Sequence, residues 1–414
     1  MKAETNRELA VAAPGASALL WSSILARLPL AMFSIALLVH AQRLTGSFAV
    51  AGLVSGAYAV ASAAAAPLLG SVVDRCGQTM VLVCGALATA LVLVVDGLLP
   101  VSTPAFVLIG LGAATGLFTP PLAACVRTLL PAIVDDPARL PALFALESTI
   151  LEVTFVAGPP LALGLGSLWS PGGALVVSGS VMLVGTLAFA GQPASRRWHP
   201  ARRRAGARGG SLRSPTIRIL VMILLATGTA FGGTEVGVTA GAHALGASST
   251  AGPLLGLWGV GSLLGGIAAT RAGGGPRSAR GLILLLGALA IGHGALILAT
   301  HSMVAIGVVI TLAGATIAPT VSSIYAMVDS AAPAGTQTEA FSWLLAASLI
   351  GASLGSAAAG ALAQTDDPAV AFAVVAAAGA VAVLVAVLGS GSLPGMAREH
   401  RGGRVKTCAQ PTAS

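Results

Sequence analysis

The chain has 414 residues, of which 56% are hydrophobic and only 9% charged. Soluble domains carry about 25% charged residues, so this composition excludes a soluble protein and predicts a polytopic membrane protein. The formal net charge of +8 does not indicate nucleic-acid binding, because no aromatic platform or folded module accompanies the basic residues. Lys2 and Lys406 are the two lysines, and neither follows a glycine, which excludes a G-K-[ST] phosphate-binding loop.

Long apolar runs predict twelve transmembrane helices, each long enough to cross a bilayer. They lie at about 17–40, 47–69, 79–99, 104–126, 141–165, 172–191, 216–242, 250–270, 281–300, 303–327, 337–363 and 368–390. The expected fold is an all-α membrane protein with two six-helix bundles, 17–191 and 216–390. A polar linker at 192–215 joins them, and tails at 1–16 and 391–414 flank them.

The basic residues predict the orientation, because cytoplasmic connections are enriched in Lys and Arg. With the N-terminus inside, the even-numbered connections and the tails hold 20 of the 22 basic residues, and only Arg43 lies outside. We therefore expect a multi-pass protein of the plasma (inner) membrane with both termini cytoplasmic. The seven arginines of 192–215 predict a solvated cytoplasmic linker, with contact to anionic lipid headgroups as the alternative.

Several residues recur between the two halves at an almost constant offset. Ala51, Gly52, Gly56 and Tyr58 match Ala251, Gly252, Gly256 and Trp258 at an offset of 200, and Pro120 matches Pro319 at 199. Three such matches in register predict a parallel repeat of two six-helix units.

The connection between predicted helices 2 and 3 is a short charged stretch, Gly70-Ser-Val-Val-Asp74-Arg75-Cys-Gly77-Gln78. Its length makes the two helices antiparallel neighbours. Gly70 permits close helix approach, and Gly77 permits a positive φ in the turn. We expect the Asp74 carboxylate to accept hydrogen bonds from the terminus of a neighbouring helix.

This pattern, G-x-x-x-D-R-x-G, resembles the loop 2–3 signature of the major facilitator superfamily of secondary transporters. Gln78 and Thr79 stand where the fuller signature has basic residues. The resemblance implies alternating access of two halves around a cavity lined by helices 1, 4, 7 and 10. It further implies a small-molecule substrate, a gating role for Gly70, Asp74, Arg75 and Gly77, no cofactor, no enzymatic activity and a monomer.

Charges at membrane depth are costly and mark functional candidates. Arg27 and Glu152 lie near the middle of predicted helices 1 and 5, whereas Arg127 and Glu147 lie nearer the cytoplasm. Counting residues predicts two pairs by depth, Arg27 with Glu152 and Arg127 with Glu147. Both pairs are interpreted as structural ion pairs or as part of the transport mechanism.

Glu235 in helix 7 has no evident cationic partner. A buried carboxyl group of this kind suits cyclic protonation, so Glu235 is the preferred proton carrier and Glu152 the preferred switch element. His293 in helix 9 is interpreted as structural.

Predicted helix 5 contains Gly158-Pro159-Pro160 followed by Gly164. This partly resembles the superfamily's antiporter signature, G-P-x-x-G-G, and predicts a kink and close packing against the opposite half. Drug–proton antiporters usually carry an Arg early in helix 4, and residues 106–110 have none.

Together these features favour proton-coupled efflux of a small, moderately hydrophobic molecule. Uptake by a symporter or facilitator is the alternative within the same class. A membrane-embedded enzyme is disfavoured, because no catalytic groups cluster at one depth.

Overall fold

The computed structural model describes residues 16–132, 139–199, 210–247, 250–362 and 369–393. Both tails, apart from a few inner residues, and linker residues 200–209 lie outside these ranges. The described chain is helical and contains no strand. Ten spans are α1 (Ala16–Thr45), α2 (Phe48–Cys76), α3 (Gln78–Gly97), α5 (Leu140–Leu168), α6 (Pro171–Gly191), α7 (Pro215–Ala244), α8 (Ala251–Arg271), α9 (Ala279–Gly294, continued by Leu296–Ala299), α11 (Gln337–Leu362) and α12 (Ala369–Leu388).

The remaining two spans, α4 and α10, are each built from two segments. Span α4 runs as Ala105–Phe118 and Leu122–Leu129, and α10 as Met303–Gly314 and Ile317–Ala331. Among the described residues, eleven segments are long and apolar enough to cross a membrane, and α5, with 29 residues, is the twelfth span. The twelve-helix fold predicted from the sequence is confirmed.

The breaks in α4 and α10 lie at equivalent places in the two halves. Pro120 and Pro121 interrupt α4, since proline cannot donate its backbone nitrogen to the helix ladder. In α10 the break falls at Ala315 and Thr316, so that Pro319 occupies the first turn of the second segment, where no intrahelical donor is needed.

The repeat is also visible in how the helices pack. Gly116 of α4 lies directly against the backbone carbonyl of Tyr58 in α2, and Gly314 of α10 lies directly against that of Trp258 in α8. A Cβ at either glycine would collide with the backbone. The recurrence of Tyr58 and Trp258 therefore reflects one helix contact built twice.

Among the described residues, the most extensive contacts between the two halves are made by α2 with α11, α5 with α8, α5 with α10, and α4 with α11. We call the end of the molecule at which Ser195 and Ser211 lie the linker end. A hydrophobic cluster there joins the halves, with Phe144 of α5 packed against Tyr325 of α10 and Phe341 of α11. In this state the halves are therefore in contact at the linker end.

Candidate transport pathway and gate

Asp74 makes a polar contact between α2 and α11. Its Oδ1 accepts a hydrogen bond from the backbone N–H of Thr338 at 3.1 Å, and its Oδ2 accepts one from the N–H of Glu339 at 2.8 Å. Helix α11 begins at Gln337, so these are first-turn donors without an intrahelical acceptor. The carboxylate is only 3% exposed and faces the positive end of the helix. The hydrogen bonds expected of Asp74 are present, and their partner is in the other half.

Gly70 allows this contact to form. A Cβ at Gly70 would lie 2.5 Å from Ser342 Oγ and 2.9 Å from the carbonyl oxygen of Thr338. Seven residues on, the turn between α2 and α3 is made by Gly77 at a φ of +89°, a conformation that favours glycine. Arg75 is exposed beside the turn.

Both described ends of the linker are attached to this region. The Glu339 carboxylate accepts hydrogen bonds from Ser211 through its backbone N–H (2.9 Å) and its hydroxyl (3.2 Å). At the other end, Gln78 Nε2 donates to Ser195 Oγ at 3.1 Å. Gln78 occupies a position where the superfamily signature has a basic residue, and here an amide anchors the linker instead.

The second contact between the halves, α5 with α8, uses the loop after α8. Gly274 has a φ of +100° and lies directly against Pro141 at the start of α5. The next residues return to α10, where the Ser323 hydroxyl donates to the carbonyl of Pro276. This loop occupies the position of the 70–78 stretch in the repeat, but it holds the halves by backbone packing rather than by a carboxylate.

One carboxylate holds two arginines inside the first half. Glu147 Oε1 accepts from Arg27 Nη1 at 2.5 Å, and Glu147 Oε2 accepts from Arg127 Nε at 3.0 Å. The exposed fractions are 1% for Arg27 and 0% for the other two side chains. The predicted pair Arg127–Glu147 is present.

The prediction that placed Arg27 with Glu152 needs correction, since the partner of Arg27 that the structure describes is Glu147. Counting residues along a helix gives the membrane depth of the Cα atom, not the depth that the end of the side chain reaches. A helical side chain points back toward the helix N-terminus, and in α1 that is the linker end. The long Arg27 side chain therefore reaches the level of Glu147. The side chain of Glu152 lies outside the described residues.

Tyr325 extends this cluster across the boundary between the halves. The Arg127 guanidinium carbon lies 3.9 Å from the centroid of the Tyr325 ring, a cation–π contact. The sequence does not identify Tyr325 as a partner of Arg127, because the repeat that relates α4 to α10 does not show which of their side chains meet.

Glu235 is exposed on α7. Gly233 and Gly237, each about 200° around the helix from Glu235, pack against Val375 and Phe372 of α12. Helix α12 packs on α7, α9 and α11, all in the second half, so it lies at the periphery. Glu235 thus faces away from α12. No cation lies within ion-pair distance of it among the described side chains.

The helix 5 motif packs differently from the expectation. A Cβ at Gly158 would lie 2.6 Å from the Cβ of Ala31 in α1, so this glycine serves a contact within the first half and not with the opposite half. A Cβ at Gly164 would meet no other part of the chain within 4 Å, and the side chain of Pro159 lies outside the described ones. Span α5 remains one continuous helix through Pro159 and Pro160.

His293 is held by two neighbours. Its Nε2 lies 3.1 Å from the donating Trp258 Nε1, and its Nδ1 lies 2.9 Å from the carbonyl oxygen of Leu289. With Nε2 accepting and Nδ1 donating, the ring is neutral and has no free lone pair for a proton. This supports its interpretation as structural.

The protein-family model described as Major Facilitator Superfamily matches residues 19–336 of the chain. No curated protein sequence matches. A bacterial homologue of the iron transporter ferroportin, in its outward-facing state, superposes with a TM-score of 0.74 at 18% identity, covering 91% of this chain and 99% of its own. The human organic anion transporter MFSD10 gives 0.68 at 17% identity, covering 91% and 100%.

Two six-helix halves joined at one end by a buried carboxylate define a membrane carrier. The chain belongs to the Major Facilitator Superfamily. It is a multi-pass membrane transporter for small molecules, and not an enzyme.

Proposed function

We propose that the chain is a proton-coupled exporter of a small, moderately hydrophobic molecule. It works as a monomer in the plasma membrane, with the linker end and both termini in the cytoplasm. Proton coupling is assigned to Glu235 because its carboxylate is exposed and has no ion-pair partner among the described residues. Glu235 lies on the face of α7 opposite the one that packs on α12. A carboxyl group that alternates between water and an occluded apolar cavity alternates in proton affinity, which is what coupling requires.

In this proposal Asp74 and Gly70 form the cytoplasmic gate. The carboxylate of Asp74 and the first turn of α11 hold the linker end closed while substrate leaves to the outside. Opening that end breaks both hydrogen bonds and exposes the first-turn N–H groups to water. Exposed arginines near the gate, Arg196, Arg197 and Arg213, contact anionic lipid headgroups at the cytoplasmic surface.

The structural neighbours support the general class and leave the substrate open. One carries the name of an iron transporter and another that of an organic anion transporter. At under 20% identity these names describe those proteins only. Any conclusion about the charge of the substrate therefore has to rest on residues of this chain.

The test is proton exchange in inverted membrane vesicles, read by a dye whose fluorescence is quenched by a proton gradient. We expect added substrate to dissipate the gradient in vesicles with the natural chain, and Glu235→Gln to abolish this response. Asp329→Asn, which neutralises a carboxyl at the linker end of α10, is the matched control and should respond normally. A full response from Glu235→Gln would remove Glu235 as the carrier. A response confined to right-side-out vesicles would favour uptake.

A further inference from the structure

The cluster of Arg27, Arg127 and Glu147 is not electrically balanced. Two guanidinium groups share one carboxylate, and all three side chains are at most 1% exposed. Among the described side chains the cluster therefore carries one surplus positive charge. A buried charge without a counterion is strongly unfavourable, so this arrangement calls for an anion.

Several guanidinium donors in the cluster have no acceptor. These are Nε and Nη2 of Arg27 and, apart from the adjacent Tyr325 side chain, Nη1 and Nη2 of Arg127, all buried and without a hydrogen-bond partner in the described part of the chain. A guanidinium offers five donors in a fixed fork that matches the two oxygens of a carboxylate. The unused donors thus have the geometry and the charge of an anion site.

The second half covers this site in the present state. The Tyr325 ring lies 3.9 Å from the Arg127 guanidinium carbon, and Phe144 and Phe341 pack around the ring. The ring belongs to α10 and Arg127 to α4. Separation of the halves at the linker end would draw the ring away and open one face of Arg127 to the cavity.

We infer that this cluster binds the single negative charge of the transported substrate, a carboxylate on an aromatic or otherwise hydrophobic acid, when the linker end is open. One anion neutralises the surplus charge, whereas a dianion would reverse it. Phe144, whose aromatic ring stays with the first half, suits an apolar body. The inference rests on the proposed transport function and narrows its substrate class. One anion moved out and one proton moved in transfer two charges in the direction that an inside-negative potential favours.

The test is a thermal-shift titration of the purified full chain in which Cys76, Cys84 and Cys408 are replaced by Ser, with a thiol-reactive dye that reports exposure of the remaining, buried Cys125. The probes are 1-naphthoate, its neutral isostere 1-naphthamide, and sodium chloride at matched ionic strength. We expect naphthoate to raise the unfolding midpoint and naphthamide to leave it unchanged. An equal shift with chloride would assign the cluster to an inorganic anion, and no shift with naphthoate would refute the site.

Variants locate the binding. Arg127→Gln and Arg27→Gln each leave one intact ion pair with Glu147, and each should weaken naphthoate binding by about tenfold or more. Arg43→Gln, which removes an exposed arginine at the far end of α1, should bind as the natural chain does. Glu152→Gln should also bind unchanged. Naphthoate binding that appears only in Glu152→Gln would show that Glu152 supplies the counterion and would overturn the inference. If neither arginine variant folds, the contrast between acid and amide on the natural chain decides.

Asp74→Asn tests the route of access. Loosening the gate populates the open state, and ligand affinity rises with the fraction of the competent state, so this variant should bind naphthoate more tightly. Weaker binding would contradict loading from the linker end. The anion site and the proposed proton coupling can fail separately. Naphthoate binding without proton exchange refutes the coupling. Glu235-dependent proton exchange without naphthoate binding refutes the anion site.

Discussion

At the scale of single residues, the carboxylates of Glu147, Asp74 and Glu235 differ in the partners that surround them. Glu147 accepts from two arginines, one on each oxygen, so its removal strands both. Removing either arginine leaves the other pair in place. Asp74 uses both of its oxygens on backbone donors, whereas Glu235 stands exposed. The roles proposed for the three carboxylates, in cohesion, gating and proton exchange, follow from these different surroundings.

Because Glu147 pairs with two arginines and, in the described part of the chain, each arginine pairs with Glu147 alone, substitutions of these residues should differ in how much they destabilise the fold. Glu147→Gln should destabilise the folded chain by about 3–5 kcal/mol, since it leaves two buried cations without their carboxylate. Arg27→Gln and Arg127→Gln should each cost clearly less. The exposed Arg43→Gln should be near neutral, within about 0.5 kcal/mol. Unfolding midpoints of the four purified variants in one detergent check the order. A Glu147→Gln variant as stable as Arg43→Gln would show that the ion pairs contribute nothing to folding.

At the scale of helices, glycines decide how closely the spans approach. In α7 and α11 the glycines of one helix lie directly against backbone atoms of the other, as with Gly232 at Ala352 and Gly355 at Thr229. Helices in a membrane associate through packing rather than through the hydrophobic effect, and small residues permit it. Gly70 permits the same close approach between the halves, where α2 meets α11.

A paired substitution tests this contact. Gly70→Ala places a methyl group 2.5 Å from Ser342 Oγ and 2.9 Å from a carbonyl oxygen. Helices α2 and α11 must then move apart, at a cost of about 1–3 kcal/mol to the closed state. Gly56→Ala, in the same helix, meets nothing within 4 Å and is the control. We expect slowed transport and a lowered unfolding midpoint in the first variant only. Equal behaviour of the two variants would mean that α2 and α11 are not in contact in the working protein.

At the scale of the whole molecule, the two halves are joined by few polar contacts. Asp74 meets α11, the Thr128 hydroxyl lies 3.2 Å from that of Thr338, and Arg127 faces Tyr325. The linker is fastened near the same place by Ser195 and Ser211. Because these contacts lie at one end, their loss allows the halves to separate there while each half keeps its own packing.

Asp74→Asn should therefore shift the equilibrium between states. Losing the charge at a helix N-terminus is worth about 0.3–2 kcal/mol, which changes the ratio of open to closed molecules by roughly 2- to 30-fold. Spin labels on the exposed Cys76 and on Arg271→Cys, one in each half, measure the separation at the linker end. Cys84 and Cys408 are replaced by Ser in that background. We expect a longer distance to gain population in Asp74→Asn. An unchanged distribution would remove Asp74 from the gate.

The sequence by itself determined the twelve spans, the two-fold repeat and the family, because these follow from local hydropathy and from short motifs. It also identified the positive φ at Gly77 and the pair Arg127–Glu147, whose partners are close in sequence and depth. Only the tertiary structure decided that Arg27 joins Glu147, that Gly158 packs on α1 and that Tyr325 covers Arg127. Those contacts depend on side-chain direction and on how helices from distant parts of the chain cross. Neither quantity is present in a linear pattern.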